Sequence, residues 1–148
     1  MMYQSFHDYY PEVAEVETRC LTLRDDPELP SGTYGFIESY CNDPSCDCRR
    51  VFLNVYHFEK KQFLAGIAYG WEDEAFYARW MRNDDPETIA GLKGPCLNLS
   101  SHQSPLAPVL LEKFQLLLSD NNYVERLRRH YEMFKKALPE KRKRKKRA

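Results

Sequence analysis

Three cysteines fall within the eight residues from Cys41 to Cys48, in the stretch Tyr40-Cys-Asn-Asp-Pro-Ser-Cys-Asp-Cys-Arg-Arg. Cys41, Cys46 and Cys48 have the spacing C-x4-C-x-C. Thiolates are ligands for soft and borderline cations such as zinc, and each must reach a common point about 2.3 Å away. A turn lets three side chains converge in this way; a strand, whose successive side chains point to opposite faces, does not. Asn42, Asp43, Pro44 and Ser45 are turn formers, so the spacing predicts a tight connection carrying a zinc site. The N-terminal Met-Met-Tyr-Gln-Ser-Phe-His-Asp has neither the basic region nor the apolar core of a secretory signal. A cytoplasmic, reducing location is therefore expected. There, clustered cysteines are more often a metal site than a disulfide. The competing readings are buried free thiols and one oxidised pair. A zinc ion at such a turn is expected to be a structural clip, because catalysis also requires an open position and a nearby base.

A fourth ligand is not evident. His57 lies nine residues beyond Cys48 along an apparent strand, roughly 30 Å away. If Arg24 faces Thr33 across the first hairpin, Cys20 is four residues out of register with Cys41, on the order of 13 Å. Cys96 and His102 lie in a later loop, and Asp43, Asp47 or water also qualify.

The stretch 40–51, with Tyr123-Val-Glu-Arg-Leu-Arg-Arg-His-Tyr-Glu-Met-Phe-Lys135, resembles a type of uncharacterised small microbial protein. Some of these are associated with the cysteine-rich metal motif called SEC-C. The resemblance covers the middle of the chain and its last helix. It implies metal binding and no particular activity. The later cysteine pair of the SEC-C motif is absent.

Two other constellations bear on function. Asp43 with Glu59-Lys-Lys61 matches the carboxylate, carboxylate and lysine set of a metal-dependent nuclease, in which the acids hold Mg²⁺ and the lysine offsets developing charge. The competing reading of Glu59 and Lys61 is a solvated hairpin turn. Arg126, Arg128 and Arg129 crowd the last helix and lead to seven consecutive cations at 141–147. Residues 1–120 carry 10 Lys and Arg against 19 Asp and Glu, while residues 121–148 carry 12 against 3. An acidic body with a basic arm predicts a contact with nucleic acid or an acidic protein through that arm. No Walker loop, dinucleotide fingerprint or H-E-x-x-H occurs.

The elements that must position these residues follow from periodicity. The 148 residues suffice for a single domain, expected at 1–139, with a disordered basic tail at 140–148. No apolar run approaches a membrane span, and no small-molecule substrate is evident. Residues 1–11 are expected as a short helix or a docked aromatic arm. Strands are expected at 12–24, 33–40, 49–58 and 63–71. In the third, Val51, Leu53 and Val55 alternate with Phe52, Asn54 and Tyr56, so both faces are largely apolar and the strand should be central. Helices are expected at 72–82, after Asp85-Pro86, from Ser104-Pro105 to Leu118, and from Asp120 or Asn121 to Leu138. The last two carry the stripes Leu106, Val109, Leu110, Phe114, Leu117 and Tyr123, Leu127, Tyr131, Phe134, Leu138. The result is an α+β fold: a four-stranded antiparallel meander followed by C-terminal helices packed on one face. The reading is of a small zinc-binding accessory protein, with the nuclease as the alternative.

Overall fold

The structure, a computed structural model, describes residues 2–139. The basic stretch 141–147 lies outside them. The chain is α+β, and every strand pair in its sheet is antiparallel. The expected meander is formed by β2 (Arg19–Leu23), β3 (Gly32–Cys41), β4 (Arg50–His57) and β5 (Gln62–Gly70). Two short strands extend it. β1 (Tyr3–Ser5) pairs with the end of β3, sharing that edge with β2, and β6 (Cys96–Leu97) pairs with β5. As its two-faced apolar pattern requires, β4 is central, bonded to β3 and β5.

One face of the sheet is the core. Tyr34, Phe36 and Tyr40 of β3 line up there with Val51, Leu53 and Val55 of β4 and Ile67 of β5. Helices α4 (Ala107–Leu117) and α5 (Asn121–Ala137) close it with Leu110, Phe114, Leu117, Tyr123, Leu127, Tyr131 and Phe134. The expected stripes of both helices are thus the buried ones. The short helices α2 (Glu74–Met81) and α3 (Pro86–Lys93) lie at the other side of β5. Tyr77 of α2 occupies the space over Gly70, where a Cβ would collide with its hydroxyl. Arg50 reaches the Leu92 carbonyl of α3 at 2.8 Å.

The N-terminal third departs from expectation. Residues 12–24 are not one strand: Pro11–Glu17 is a helix, α1, and only Arg19–Leu23 is extended. Pro11 at the first helical position and Glu12 beside it are start signals, outweighed in the sequence by the strand-forming Val13, Val16 and Thr18. Docking decides the conformation: Ala14 is buried and Tyr10 donates to the Met133 carbonyl at 2.9 Å. The first hairpin also sits two residues from the expected register, with Thr22 opposite Thr33 and Cys20 opposite Gly35. Asp25, at φ 59°, and Asp26, which accepts from the Glu28 and Leu29 amides, lengthen the turn.

α1, β3 and α5 meet at a buried histidine. His130 is fully buried, with Nδ1 2.7 Å from Glu38 Oε1 and Nε2 2.7 Å from Glu17 Oε1. Each ring nitrogen thus faces one carboxylate oxygen. Phe6 stacks on the ring at 4.2 Å, and Tyr40 donates to Glu38 at 2.7 Å. Removing the imidazole strands a buried carboxylate, so His130→Leu is expected to cost about 3–5 kcal/mol in urea unfolding. The hydrogen bond from His130, followed by that from Arg129, holds the Glu17 carboxyl below its ordinary value. The unfolded chain therefore takes up this proton more readily. The resulting stability is complete above the ordinary Glu range and is lost as pH falls through the folded value. Melting temperature should fall as pH drops through and below the ordinary Glu range, and Glu17→Gln should make that fall shallower.

Candidate metal centre

Cys41 is the last residue of β3 and is fully buried against its partner Tyr3. The chain then turns. Asp43 Oδ1 accepts from the Ser45 amide at 3.0 Å and the Ser45 hydroxyl at 2.8 Å, and the Cys46 amide donates to the Asp43 carbonyl at 3.0 Å. This local bonding folds the connection back so that Cys48, also buried, returns beside Cys41. Arg49, at φ 51°, then redirects the backbone into β4. The three Sγ atoms lie within 4.8 Å of one another. Tetrahedral zinc with bonds of about 2.3 Å holds thiolates about 3.8 Å apart, so a contraction of at most about 1 Å fits them to an ion.

α5 fastens this turn to the core. Lys135 Nζ donates to the Cys41 carbonyl at 2.8 Å and the Asp43 carbonyl at 3.0 Å. The Tyr131 hydroxyl accepts from the Arg49 amide and donates to Asp47 Oδ1, both at 3.2 Å. On the outer side the Tyr3 hydroxyl stands 3.7 Å from Cys48 Sγ, with Arg50 3.5 Å behind it. Tyr3, whose hydroxyl is pushed upward by burial and then by Cys48, keeps its proton and can donate it to sulfur. Burial, followed by the nearby Cys48 and Cys41, pushes the half-buried Cys46 thiol up to about 12. Thiols in that state are poor nucleophiles.

Among the described residues, no fourth His, Cys, Asp or Glu joins the group. Cys20, opposite Gly35, is six residues from Cys41 along β3, on the order of 20 Å. His57 faces Tyr34 at the far end of β3 and is bonded to the Ser31 carbonyl and the Lys60 amide. Cys96 lies beyond β5 with its thiol 3.5 Å from the Gly91 carbonyl. Asp47 is engaged by Arg49 and Tyr131.

The nuclease set does not assemble. Asp43 follows the end of β3. Glu59 accepts from the Thr33 amide at the beginning of β3, and Lys61 is in the same β4–β5 turn. Ten residues of strand, roughly 33 Å, separate the two acids. The sequence brings Glu59 and Lys61 close to the cysteine turn in number, but the two turns cap opposite ends of β4. The α5 arginines are drawn into the fold. Arg126 donates to the Glu17 carbonyl at 3.1 Å, Arg129 to the Glu17 carboxylate at 2.9 Å, and Arg128 stands 3.6 Å from Glu125. The adjoining cleft sets Arg49, Arg128 and Arg129 against Glu72, Glu125 and Glu132.

No protein-family model, curated protein or solved structure matches the chain. Among the described residues, no helix is long and apolar enough to cross a membrane.

The residues that sequence reasoning missed are Tyr3, Tyr131 and Lys135. Tyr131 and Lys135 are four apart on α5, a spacing that places both on one stripe. Nothing short of the fold shows that this stripe meets the cysteine turn. Tyr131→Phe should lower stability by about 1 kcal/mol and Lys135→Met by about 2 kcal/mol in chemical denaturation. Both should speed amide exchange at Cys46 to Arg49 more than in α4.

Proposed function

We propose that this chain is a small metal-binding accessory protein in which Cys41, Cys46 and Cys48 hold zinc as a structural clip. The observation that carries this is the convergence of the three sulfurs within 4.8 Å. The burial of Cys41 and Cys48 and the double fastening of the turn by α5 support a structural role. Ligand fixation of this kind ties the β3–β4 connection, which carries no regular structure, to the core. Zinc thiolates need a reducing compartment, so the protein acts in the cytoplasm. Under this reading the likeness to SEC-C-associated proteins extends to metal binding and not to that motif's ligand set.

The partner in this reading is nucleic acid or an acidic protein, met by the basic arm. Arg126, Arg128 and Arg129 direct its start, and residues 141–147 continue it. Of the three, Arg128 and Arg129 are the exposed ones, with ion pairs at the surface.

The test is elemental analysis of protein purified with zinc present. One equivalent is expected. Cys46→Ser should lose it and melt well below wild type, because removing a ligand removes folding free energy. Cys96→Ser should retain both metal and melting temperature. Wild-type protein with far less than one equivalent, and a Cys46→Ser variant that melts like it, would show that no such centre exists.

A further inference from the structure

The second face of the sheet is only partly covered: Gly66 lies under Ser101 and Gln103 and Gly70 under Tyr77, while the β4 side chains of that face are not fully buried. On β4, Phe52, Asn54 and Tyr56 alternate away from the core and are only half-buried. Beside Tyr56 stand Phe63, 53% exposed, at 4.7 Å between ring centres, and Phe58, 43% exposed, at 5.3 Å. Phe58 approaches β3 closely because Gly35 has no side chain; a Cβ there would stand 2.7 Å from the ring. At the other end of the strand Tyr3 stacks on Phe52 at 3.9 Å, with the Arg50 guanidinium 5.3 Å from the Phe52 ring. Two aromatic stations thus flank Asn54. Its side-chain amide has no hydrogen-bond partner among the described residues.

The charge on this face is as informative as its rings. The chain has 22 Asp and Glu, yet within the strands only one occurs, Glu38, and it points into the core toward His130. The other described ones lie in helices, turns and loops. The open face therefore carries no carboxylate. It does carry Arg50, and the exposed Lys60 and Lys61 stand at the hairpin that joins Phe58 to Phe63, outnumbering Glu59 there, whose carboxylate accepts from the Thr33 amide. In a body with a net negative charge this is a segregated surface.

We propose that this face binds single-stranded nucleic acid. Rings offer a stacking surface to unpaired bases, and cations at the margins meet phosphates. Alternate residues on β4 are roughly 7 Å apart, so Asn54 reaches the edge of a base stacked at Tyr56. A duplex hides its bases from such rings. The inference goes beyond the zinc reading and does not depend on it. It also places the contact on the sheet, where the α5 arginines are not required.

The experiment is fluorescence anisotropy of the full chain with a labelled single-stranded oligonucleotide of roughly ten nucleotides at low salt. Saturable binding is expected. Phe63→Leu keeps an apolar side chain, removes the ring and should weaken binding about tenfold, while Phe63→Tyr should restore it. Tyr56→Ala should weaken it similarly. Asn54→Ala should change the ranking of homopolymers. Circular dichroism melting identifies any variant that fails to fold, and the half-exposed Phe63 makes the Leu and Tyr pair the deciding comparison. Three results would overturn the proposal: no binding; binding by Phe63→Leu equal to wild type, which assigns it to the cationic tail; or a dimer in solution that Phe63→Glu dissociates, which assigns the face to a second copy of the chain.

Discussion

A histidine ring buried between two carboxylates sets the terms for this fold. His130 stands between Glu17 and Glu38, and through those contacts α5, α1 and β3 are fixed relative to one another. Such an arrangement is costly to assemble, because two ionisable groups, His130 and Glu38, lose solvent. It holds because each has directional partners: Tyr40 and His130 converge on one Glu38 oxygen, and Arg129 shares Glu17. The second Glu38 oxygen and the Tyr123 hydroxyl are buried without a hydrogen-bond partner among the described residues. The node is thus less than fully satisfied, and it specifies an orientation more than it adds stability. A helix that packed only by its apolar stripe could rotate or slide; one pinned at His130 cannot. Tyr131 and Lys135, one position and five positions further on, are thereby aimed at the cysteine turn.

Much of the fold was legible because its signals are local. Alternation in Val51, Leu53 and Val55 placed β4 at the centre, and the stripes of α4 and α5 named the buried residues. The cysteine turn was legible for the same reason: Asn42, Asp43, Pro44 and Ser45 demand a turn whatever surrounds them. What was not legible depends on distant partners. Val13, Val16 and Thr18 suit a strand, and only the contacts of Tyr10 and Glu17 with α5 make that segment helical. Tyr3 reads as part of an aromatic arm and becomes a neighbour of Cys48 only through the pairing of β1 with β3.

The alternation along β4 was read as burial on both sides. It was right about the position and incomplete about the cover. Phe52 and Tyr56 are apolar, yet no described helix crosses them, because α2 and α3 sit against β5 and α4 and α5 fill the opposite face. Periodicity tells which side chains share a face. It does not tell whether that face meets the interior or something outside the chain.

The pairing of β1 with the end of β3 has a practical consequence. Met2 and Asn42 exchange hydrogen bonds, the Asn42 amide to the Met2 carbonyl at 2.8 Å and the Met2 amide to the Asn42 side chain at 3.2 Å. Any peptide joined ahead of residue 2 therefore emerges next to Cys41. A polyhistidine purification handle fused there would bring imidazoles within reach of three thiols and offer a metal ion a ligand that no other described His, Cys, Asp or Glu supplies. Handles of another chemistry, or cleavage before metal measurements, keep the coordination number a property of the protein.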